Sequence, residues 1–190
     1  MSVLNRWCAV VLAAVPLLSS CGRQEPVTAS TSIFLAAAAG QVEILKQLST
    51  SQEVDAVDAS GYTPLMLAAI GGHADAMRYL VSRGANVNAK HRPSGADLLM
   101  LVTASPKGSS EEALSYLLQQ GLSPNYSTPS GETALQFATE MKNEVAVARL
   151  LDAGAVPTAR ALQVVDAASY PDAVIRERVR VAASRTLGSR

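Results

Sequence analysis

An all-α fold made of repeated pairs of short helices is the prediction from the sequence, and three observations support it. Alanine is abundant among the 48% of residues that are hydrophobic, which favours closely packed helices. Leucines recur at helical spacing over several short segments. Ser-Gly pairs at Ser60-Gly61, Ser94-Gly95 and Ser130-Gly131 are typical of tight turns between such segments. The sequence therefore predicts helix pairs joined by hairpin turns, with negligible strand content.

The composition excludes several kinds of function. The 190 residues carry 16 Lys and Arg against 16 Asp and Glu, and this zero formal net charge gives no electrostatic basis for binding nucleic acid. The two cysteines and two histidines lie at positions 8, 21, 73 and 91, a scattered arrangement that disfavours a four-ligand zinc site. We therefore expect no nucleic-acid partner and no metal or other cofactor.

The first residues have the pattern of an export signal. Residues 1–6 carry one positive charge, and residues 7–18 form an apolar run of 12 residues, which is too short to span a bilayer stably. The run ends in Leu18-Ser19-Ser20-Cys21, which resembles the lipobox of bacterial lipoproteins. That resemblance implies cleavage before Cys21, lipidation of Cys21, and a periplasm-facing protein of the cell envelope, with Gly22 indicating the outer membrane. A plain secretory signal is the alternative.

The rest of the chain is repetitive. The segment GYTPLMLAA at 61–69 returns 70 residues later as GETALQFA at 131–138. A middle copy begins at Gly95 and is interrupted by extra residues at 106–110, which are either a functional protrusion or a tolerated loop, and an upstream copy begins at Thr31. These copies resemble ankyrin repeats. The histidine of that family's Thr-Pro-Leu-His motif is replaced in each copy, by Phe34, Met66, Met100 and Gln136.

The resemblance and the composition together divide the chain into four parts. Residues 1–20 are predicted to be the lipoprotein signal peptide, 21–30 the lipidated cysteine with a flexible tether, 31–158 an ankyrin-repeat solenoid of about four repeats, and 159–190 a C-terminal helical cap. In the cap, Val174, Ile175, Val179 and Ala182 are expected to face the last repeat.

Local signals place the helices within each repeat. Thr31, Thr63, Asp97 and Thr133 precede apolar runs, where their side-chain oxygens can cap the first helix of each pair. The second helices are predicted at 42–48, 74–82, 111–119 and 144–151. Gly84, Gly121 and Gly154 are expected to end three of them in the left-handed conformation.

No catalytic pattern is present. The sequence contains no Gly-x-Ser-x-Gly motif, no Ser-x-x-Lys motif and no phosphate-binding glycine loop. His73 belongs to a Gly-His pair typical of the repeat, where the ring bonds backbone groups between helices. We therefore expect no enzyme activity.

The resemblance implies a protein partner bound on the concave face and the turn tips. Among the sites it implies, Tyr62, Arg92 and Tyr126 are residue types common at binding hot spots. His91 suggests that recognition of the partner is sensitive to mild acid. The function expected is a regulator or scaffold of a periplasmic or outer-membrane protein. The alternatives are an immunity-type inhibitor of an exported toxin and an accessory factor in periplasmic oxidative-stress defence that supports catalase. The implied partner-facing positions are Val57, Ala59, Tyr62, Ile70, His91, Arg92, Pro93, Ala96, Tyr126, Ser127, Pro129, Glu132, Glu140 and Met141.

Overall fold

The computed structural model describes residues 32–48, 53–104, 111–166, 170 and 172–187. The predicted lipidation site Cys21 and the extra residues at 106–110 lie outside these ranges. Within them the secondary structure is helical, apart from one isolated β-bridge between Ser127 and Thr133. The helices are α1 (Ile33–Ala38), α2 (Val42–Leu48), α3 (Pro64–Gly71), α4 (Ala74–Ser82), α5 (Leu98–Ala104), α6 (Glu111–Gln119), α7 (Ala134–Glu140), α8 (Glu144–Asp152), α9 (Ala159–Asp166) and α10 (Ala173–Leu187).

The helices form two parallel rows. The first helices stack in the order α1, α3, α5, α7 and α9, and the second helices stack in the order α2, α4, α6, α8 and α10. The cap helices α9 and α10 therefore occupy the places of a fifth helix pair. The predicted all-α repeat solenoid with a C-terminal cap is confirmed.

Side-chain oxygens start the first helices as the sequence predicts. Thr63 accepts a hydrogen bond from the Met66 amide at 3.3 Å, and Thr133 and Asp97 cap their helices in the same way. These bonds satisfy amides that have no partner within the helix. In the first repeat the cap in the described residues is Ser32, which accepts from the Leu35 amide, whereas Thr31 lies outside them.

The alanines allow neighbouring helices to approach closely. Ala36, Ala68 and Ala138 are completely buried, and they belong to one hydrophobic core that runs through all four repeats and into the cap. Three residues that replace the family's histidine, Met66, Met100 and Gln136, are also buried. Packing of small side chains thus holds the stack together.

Ion pairs join successive second helices on the back of the solenoid. Arg78 of α4 pairs with Glu112 of α6 at 2.5 Å, and Arg149 of α8 pairs with Glu111 of α6. Arg178 of α10 pairs with Asp152 of α8 at 2.5 Å. Exposed pairs of this kind each contribute only about 0–1 kcal/mol, so the buried core dominates stability.

The cap differs in register from the sequence prediction. Ile175, Val179 and Ala183 are buried against the stack, whereas Val174 is 68% exposed. The prediction that Val174 faces the last repeat is therefore wrong, whereas Ala182 is half-buried beside the buried Ala183. Residues four positions apart lie on the same face of a helix, so Ile175, Val179 and Ala183 form the buried face of α10.

Candidate functional site

The most exposed polypeptide beside the first helices is a row of three hairpins. We call them hairpin 1 (residues 53–63), hairpin 2 (86–97) and hairpin 3 (122–133), and together the hairpin edge. The first helices α3, α5 and α7 contribute little surface beside these hairpins, because every residue from 62 to 70, from 96 to 103 and from 133 to 139 is buried. A partner approaching this side of the protein would meet the hairpins.

The three hairpins share one closing bond. The amide of Asp58 donates to the Tyr62 carbonyl at 2.9 Å, and the amide of Thr128 donates to the Glu132 carbonyl at 3.0 Å. In hairpin 2 the equivalent bond runs from the His91 amide to the carbonyl of Ala96 at 2.8 Å, five residues away and not four. Hairpin 2 therefore contains one extra residue.

The side chain of His91 connects hairpin 2 to hairpin 1. Its ring stacks on Tyr62 with centroids 4.1 Å apart, and its Nε2 lies 3.1 Å from the Ser60 carbonyl oxygen. Because a carbonyl only accepts, Nε2–H is the donor, and in the neutral ring Nδ1 accepts from the Ser94 hydroxyl at 2.7 Å. Burial lowers the pKa of His91, against the opposing effects of the Ser60 hydrogen bond and the Asp58 charge.

Tyr126 connects hairpin 3 to hairpin 2. Its hydroxyl donates to the Gly95 carbonyl at 2.8 Å, and the ammonium group of Lys90 lies 3.7 Å from the centroid of its ring. Lys90 also lies 3.8 Å from the buried carboxylate of Asp97, whose pKa burial raises. These contacts fix neighbouring hairpins to each other before any partner arrives.

Six of the fourteen implied partner-facing residues are exposed on the hairpin edge, namely Val57, Ala59, Arg92, Pro93, Ser127 and Pro129. Tyr126, Glu132 and Met141 are half-buried. The six exposed positions are therefore accessible to a partner, and their role in binding stays a prediction.

Four of the fourteen are buried, which corrects the expectation that they face a partner. Tyr62 is 2% exposed and His91 4%, because their rings stack on each other. Ile70 is 6% exposed and Ala96 0%, since both belong to the hydrophobic core. These side chains stabilise the scaffold.

Glu140 requires a similar correction. Its side chain is only 5% exposed, and its carboxylate accepts hydrogen bonds from Arg160 at 2.9 Å and from Gln136 at 3.2 Å. Arg160 belongs to cap helix α9, so Glu140 fastens the last repeat to the cap. This carboxylate therefore already accepts hydrogen bonds within the protein, which corrects the expectation that it faces a partner.

A pocket of about 180 Å³ lies between hairpins 1 and 2. Hairpin 1 contributes Asp55 and Val57 to its lining, and hairpin 2 contributes Asn86, Lys90 and Arg92. The sequence analysis named Val57 and Arg92 but missed Asp55, Asn86 and Lys90. Asp55 and Lys90 each lie two residues from a named site, which was the available signal, whereas nothing in the sequence distinguished Asn86.

His73 has the structural role that the sequence suggests. Its Nε2 lies 3.1 Å from the Ala38 carbonyl oxygen and joins the first two repeats. In the part of the chain that the structure describes, no group of three or more His, Cys, Asp or Glu residues is arranged to hold a metal ion. Within the same residues, no helix has the length and apolar character needed to cross a membrane.

These features define a class of protein, a helical-repeat solenoid with a protruding edge of hairpins. A family model described as "Ankyrin repeats (3 copies)" matches residues 9–91. The chain carries ankyrin repeats and folds as an all-helical ankyrin-repeat solenoid. Such repeats are protein–protein interaction modules, and the fold is generally a non-catalytic scaffold.

Three relatives illustrate the similarity. The human transient receptor potential cation channel subfamily A member 1 is 30% identical over 129 residues, which is 66% of this chain and 11% of the channel subunit. An ankyrin repeat-containing protein of Schizosaccharomyces pombe is 32% identical over 74 residues, covering 38% of this chain and 36% of its own length. The mouse ankyrin repeat and SAM domain-containing protein 6 is 31% identical over 107 residues, covering 55% and 12% respectively. The chain spans little more than a third of these relatives at most.

Proposed function

We propose that this protein is an envelope-anchored interaction module that binds one protein partner along its hairpin edge, as a regulator or scaffold of a periplasmic or outer-membrane protein. The main support for this binding surface is that Val57, Arg92 and Pro129 are exposed on the hairpins. The inner residues of the same hairpins are held together by stacking and hydrogen bonds. Ankyrin repeats supply the general role of protein binding.

The connections between hairpins favour tight binding. Stacking of His91 on Tyr62 and the bond from Tyr126 to the Gly95 carbonyl hold three loops in one arrangement. Loops that are ordered before binding lose less conformational entropy when a partner docks. A rigid edge also supports specificity, since the exposed side chains are displayed at fixed spacings.

The envelope location rests on the sequence. The short basic start, the apolar run of 12 residues and the Leu18-Ser19-Ser20-Cys21 segment support a lipid anchor on Cys21. Replacing Cys21 with Ala is expected to move the protein from the membrane fraction to the soluble fraction of cells. Retention of the variant in the membrane fraction would contradict the anchor.

In-cell photo-crosslinking tests the binding surface. A photoreactive amino acid is placed at Pro129 or Ser127 on the hairpin edge, and at Glu177 on the exposed side of α10 as the matched control. We expect the same partner protein to be captured from both hairpin positions and not from the control. Equal capture from all three positions, or capture from the control alone, would overturn the hairpin edge as the binding surface.

The activity of the captured partner separates the specific roles. A scaffold or regulator leaves the partner functional or changes its level of activity. An immunity-type inhibitor abolishes a toxic activity at nanomolar concentrations, and an accessory factor in oxidative-stress defence changes catalase activity. Assay of the purified partner with and without this protein distinguishes the three.

A further inference from the structure

The pocket between hairpins 1 and 2 combines groups of different chemistry on facing walls. The wall from hairpin 2 carries Lys90 and Arg92, and the wall from hairpin 1 carries the carboxylate of Asp55 and the 41% exposed side chain of Val57. Its volume of about 180 Å³ is sufficient for one amino-acid side chain and the adjoining backbone. Such a pocket discriminates by charge and by size.

The two cations of the pocket are not equivalent. Lys90 lies over the Tyr126 ring and near the Asp97 carboxylate, so its charge is already compensated. Arg92 is exposed, and the described residues give its guanidinium group no hydrogen bond or ion pair. By contrast, Arg78, Arg149 and Arg160 each have a carboxylate partner. Arg92 is therefore the group in the pocket with unused charge and unused donors.

Arg92 lies in the enlarged turn of hairpin 2. The closing bond from His91 to Ala96 encloses one residue more than the bonds of hairpins 1 and 3, and Arg92 and the adjacent Pro93 are both exposed. Pro93 restricts the backbone next to Arg92. The guanidinium group is thus presented on a loop whose inner residue, His91, is fixed against hairpin 1.

The carboxylate of Asp55 further limits which ligands the pocket can bind. One of its carboxylate oxygens accepts from the Asn86 amide at 2.9 Å, and a carboxylate retains capacity to accept further hydrogen bonds. A free anion would be repelled by this charge. A peptide can satisfy both walls, because its acidic side chain pairs with Arg92 while a backbone N–H donates to Asp55.

We propose that this pocket binds an aspartate or glutamate side chain on an extended segment of a protein partner, with Arg92 as the paired cation. This inference rests on the proposed protein-binding function and specifies its partner. The side-chain methylenes of the bound residue contact Val57, and the carboxylate makes a charge-assisted, bidentate interaction with Arg92. A lysine at the same position of the partner would place its ammonium group beside Lys90 and Arg92, and this repulsion disfavours it.

The test selects peptides from a random library displayed on phage, with the full chain as bait. The matched variants are Arg92→Gln and Arg83→Gln, since Arg83 is another exposed arginine without a partner in the described residues but lies outside the pocket lining. The affinity of the selected peptides is then measured by titration calorimetry. A charge reversal, Arg92→Glu, is assayed with the acidic peptide and with its Lys-substituted counterpart.

We expect the selected peptides to share an acidic position. Arg92→Gln should weaken their binding by about tenfold to a hundredfold, the range for loss of a charged hydrogen bond, whereas Arg83→Gln should leave binding unchanged. Arg92→Glu should reverse the preference in favour of the Lys-substituted peptide.

Two results would overturn the inference. Peptides that bind without an acidic position, or that bind Arg92→Gln as well as the unaltered chain, refute the acidic pocket while protein binding by the hairpin edge stands. Failure to select any binding peptide refutes the pocket as well, and the crosslinking experiment then decides separately whether the hairpin edge binds a protein.

Discussion

At the scale of single residues, the hydroxyl groups of two tyrosines differ in their environment. The Tyr62 hydroxyl is buried and has no hydrogen-bond partner among the described residues, whereas the Tyr126 hydroxyl donates to the Gly95 carbonyl. Burial of an unpaired hydroxyl is unfavourable. Burial also raises the pKa of Tyr62, together with the nearby Asp58 charge.

Removing the two hydroxyls should have opposite effects on stability. Tyr62→Phe is expected to raise the free energy of unfolding by about 1 kcal/mol, and Tyr126→Phe to lower it by about 1 kcal/mol. Urea denaturation of both variants measures this. A loss of stability in Tyr62→Phe would show that the hydroxyl is satisfied, and a loss of partner binding would restore the original prediction that Tyr62 is a contact residue.

Because His91 is buried, we expect the free energy of unfolding to fall in mild acid. Its pKa is lowered in the folded state by burial, so below the ordinary value of about 6.5 the unfolded chain takes up the proton first. The contribution to stability is therefore complete above pH 6.5 and is lost as the pH falls towards the folded-state pKa. We therefore expect mild acid to lower the stability of the hairpin edge through His91.

Denaturation from pH 7.5 to 5 tests this effect. The free energy of unfolding should fall more steeply with acidification in the unaltered chain than in His91→Asn. Asp97 has a raised pKa and contributes with the opposite sign, because its stabilising protonated form is lost as the pH rises. Since both proteins retain Asp97, the difference between them reports His91, and identical slopes would refute the prediction.

At the scale of the elements, equivalent asparagines of two hairpins make different contacts. The Asn125 side chain donates to the Gly154 carbonyl at 3.0 Å and accepts from the Val156 amide at 2.7 Å, which ties hairpin 3 to the following turn. Asn88 occupies the corresponding place in hairpin 2, and the described residues give its side chain no such bond. Both hairpins thus carry an asparagine at the same place, but only the asparagine of hairpin 3 bonds to the following turn in the described residues.

Substitution of these asparagines measures the connection. Asn125→Ala is expected to lower the free energy of unfolding by about 1 kcal/mol, whereas Asn88→Ala should change it by less than about 0.5 kcal/mol. Thermal and urea denaturation provide the measurement. Equal effects of the two substitutions would show that the bonds across hairpin 3 do not stabilise the solenoid.

At the scale of the whole molecule, the main helix contacts among the described residues join each helix pair to its immediate neighbours. The cap helices α9 and α10 lie on α7 and α8, and Ile175, Val179 and Ala183 of α10 are buried there. In such a solenoid, stability is the sum of repeat and interface contributions. Damage to the cap should therefore spread first into the adjacent repeat.

Hydrogen exchange can follow this spread. Val179→Asp places a charge at a fully buried position of α10, whereas Val181→Asp alters a residue that is 38% exposed on the same helix. We expect Val179→Asp to increase exchange in α7 and α8 much more than in α3 and α4, and Val181→Asp to leave both unchanged. Uniform loss of protection would instead indicate a single cooperative unit.

The helices were the most predictable feature, because local chemistry specifies them. The second helices were predicted at 42–48, 74–82, 111–119 and 144–151, and they agree with the structure except for one added residue, Asp152. Gly84, Gly121 and Gly154 adopt φ values of 96°, 86° and 85°, as expected for left-handed helix ends. The face of α10 was harder to predict, since the apolar residues Val174, Ile175, Val179 and Val181 form an arc that is wider than the buried strip.

The candidate site was only partly predictable. Loop positions such as Arg92 and Pro129 follow from their place in the repeat, and they are exposed. The burial of Tyr62 and His91 does not, because it arises from stacking between residues 29 positions apart in sequence. The engagement of Glu140 by Arg160 of the cap depends in the same way on a distant element.

By itself the sequence determined the helix pairs, their caps and turns, and the ankyrin-repeat solenoid, because capping oxygens, apolar spacing and glycine turns act over a few residues. It also carries the export and lipidation pattern at Cys21, which remains a prediction. Only the tertiary structure decided which hairpin side chains are displayed and which are locked inside. Exposure depends on how successive hairpins pack together, and that packing joins residues about one repeat apart.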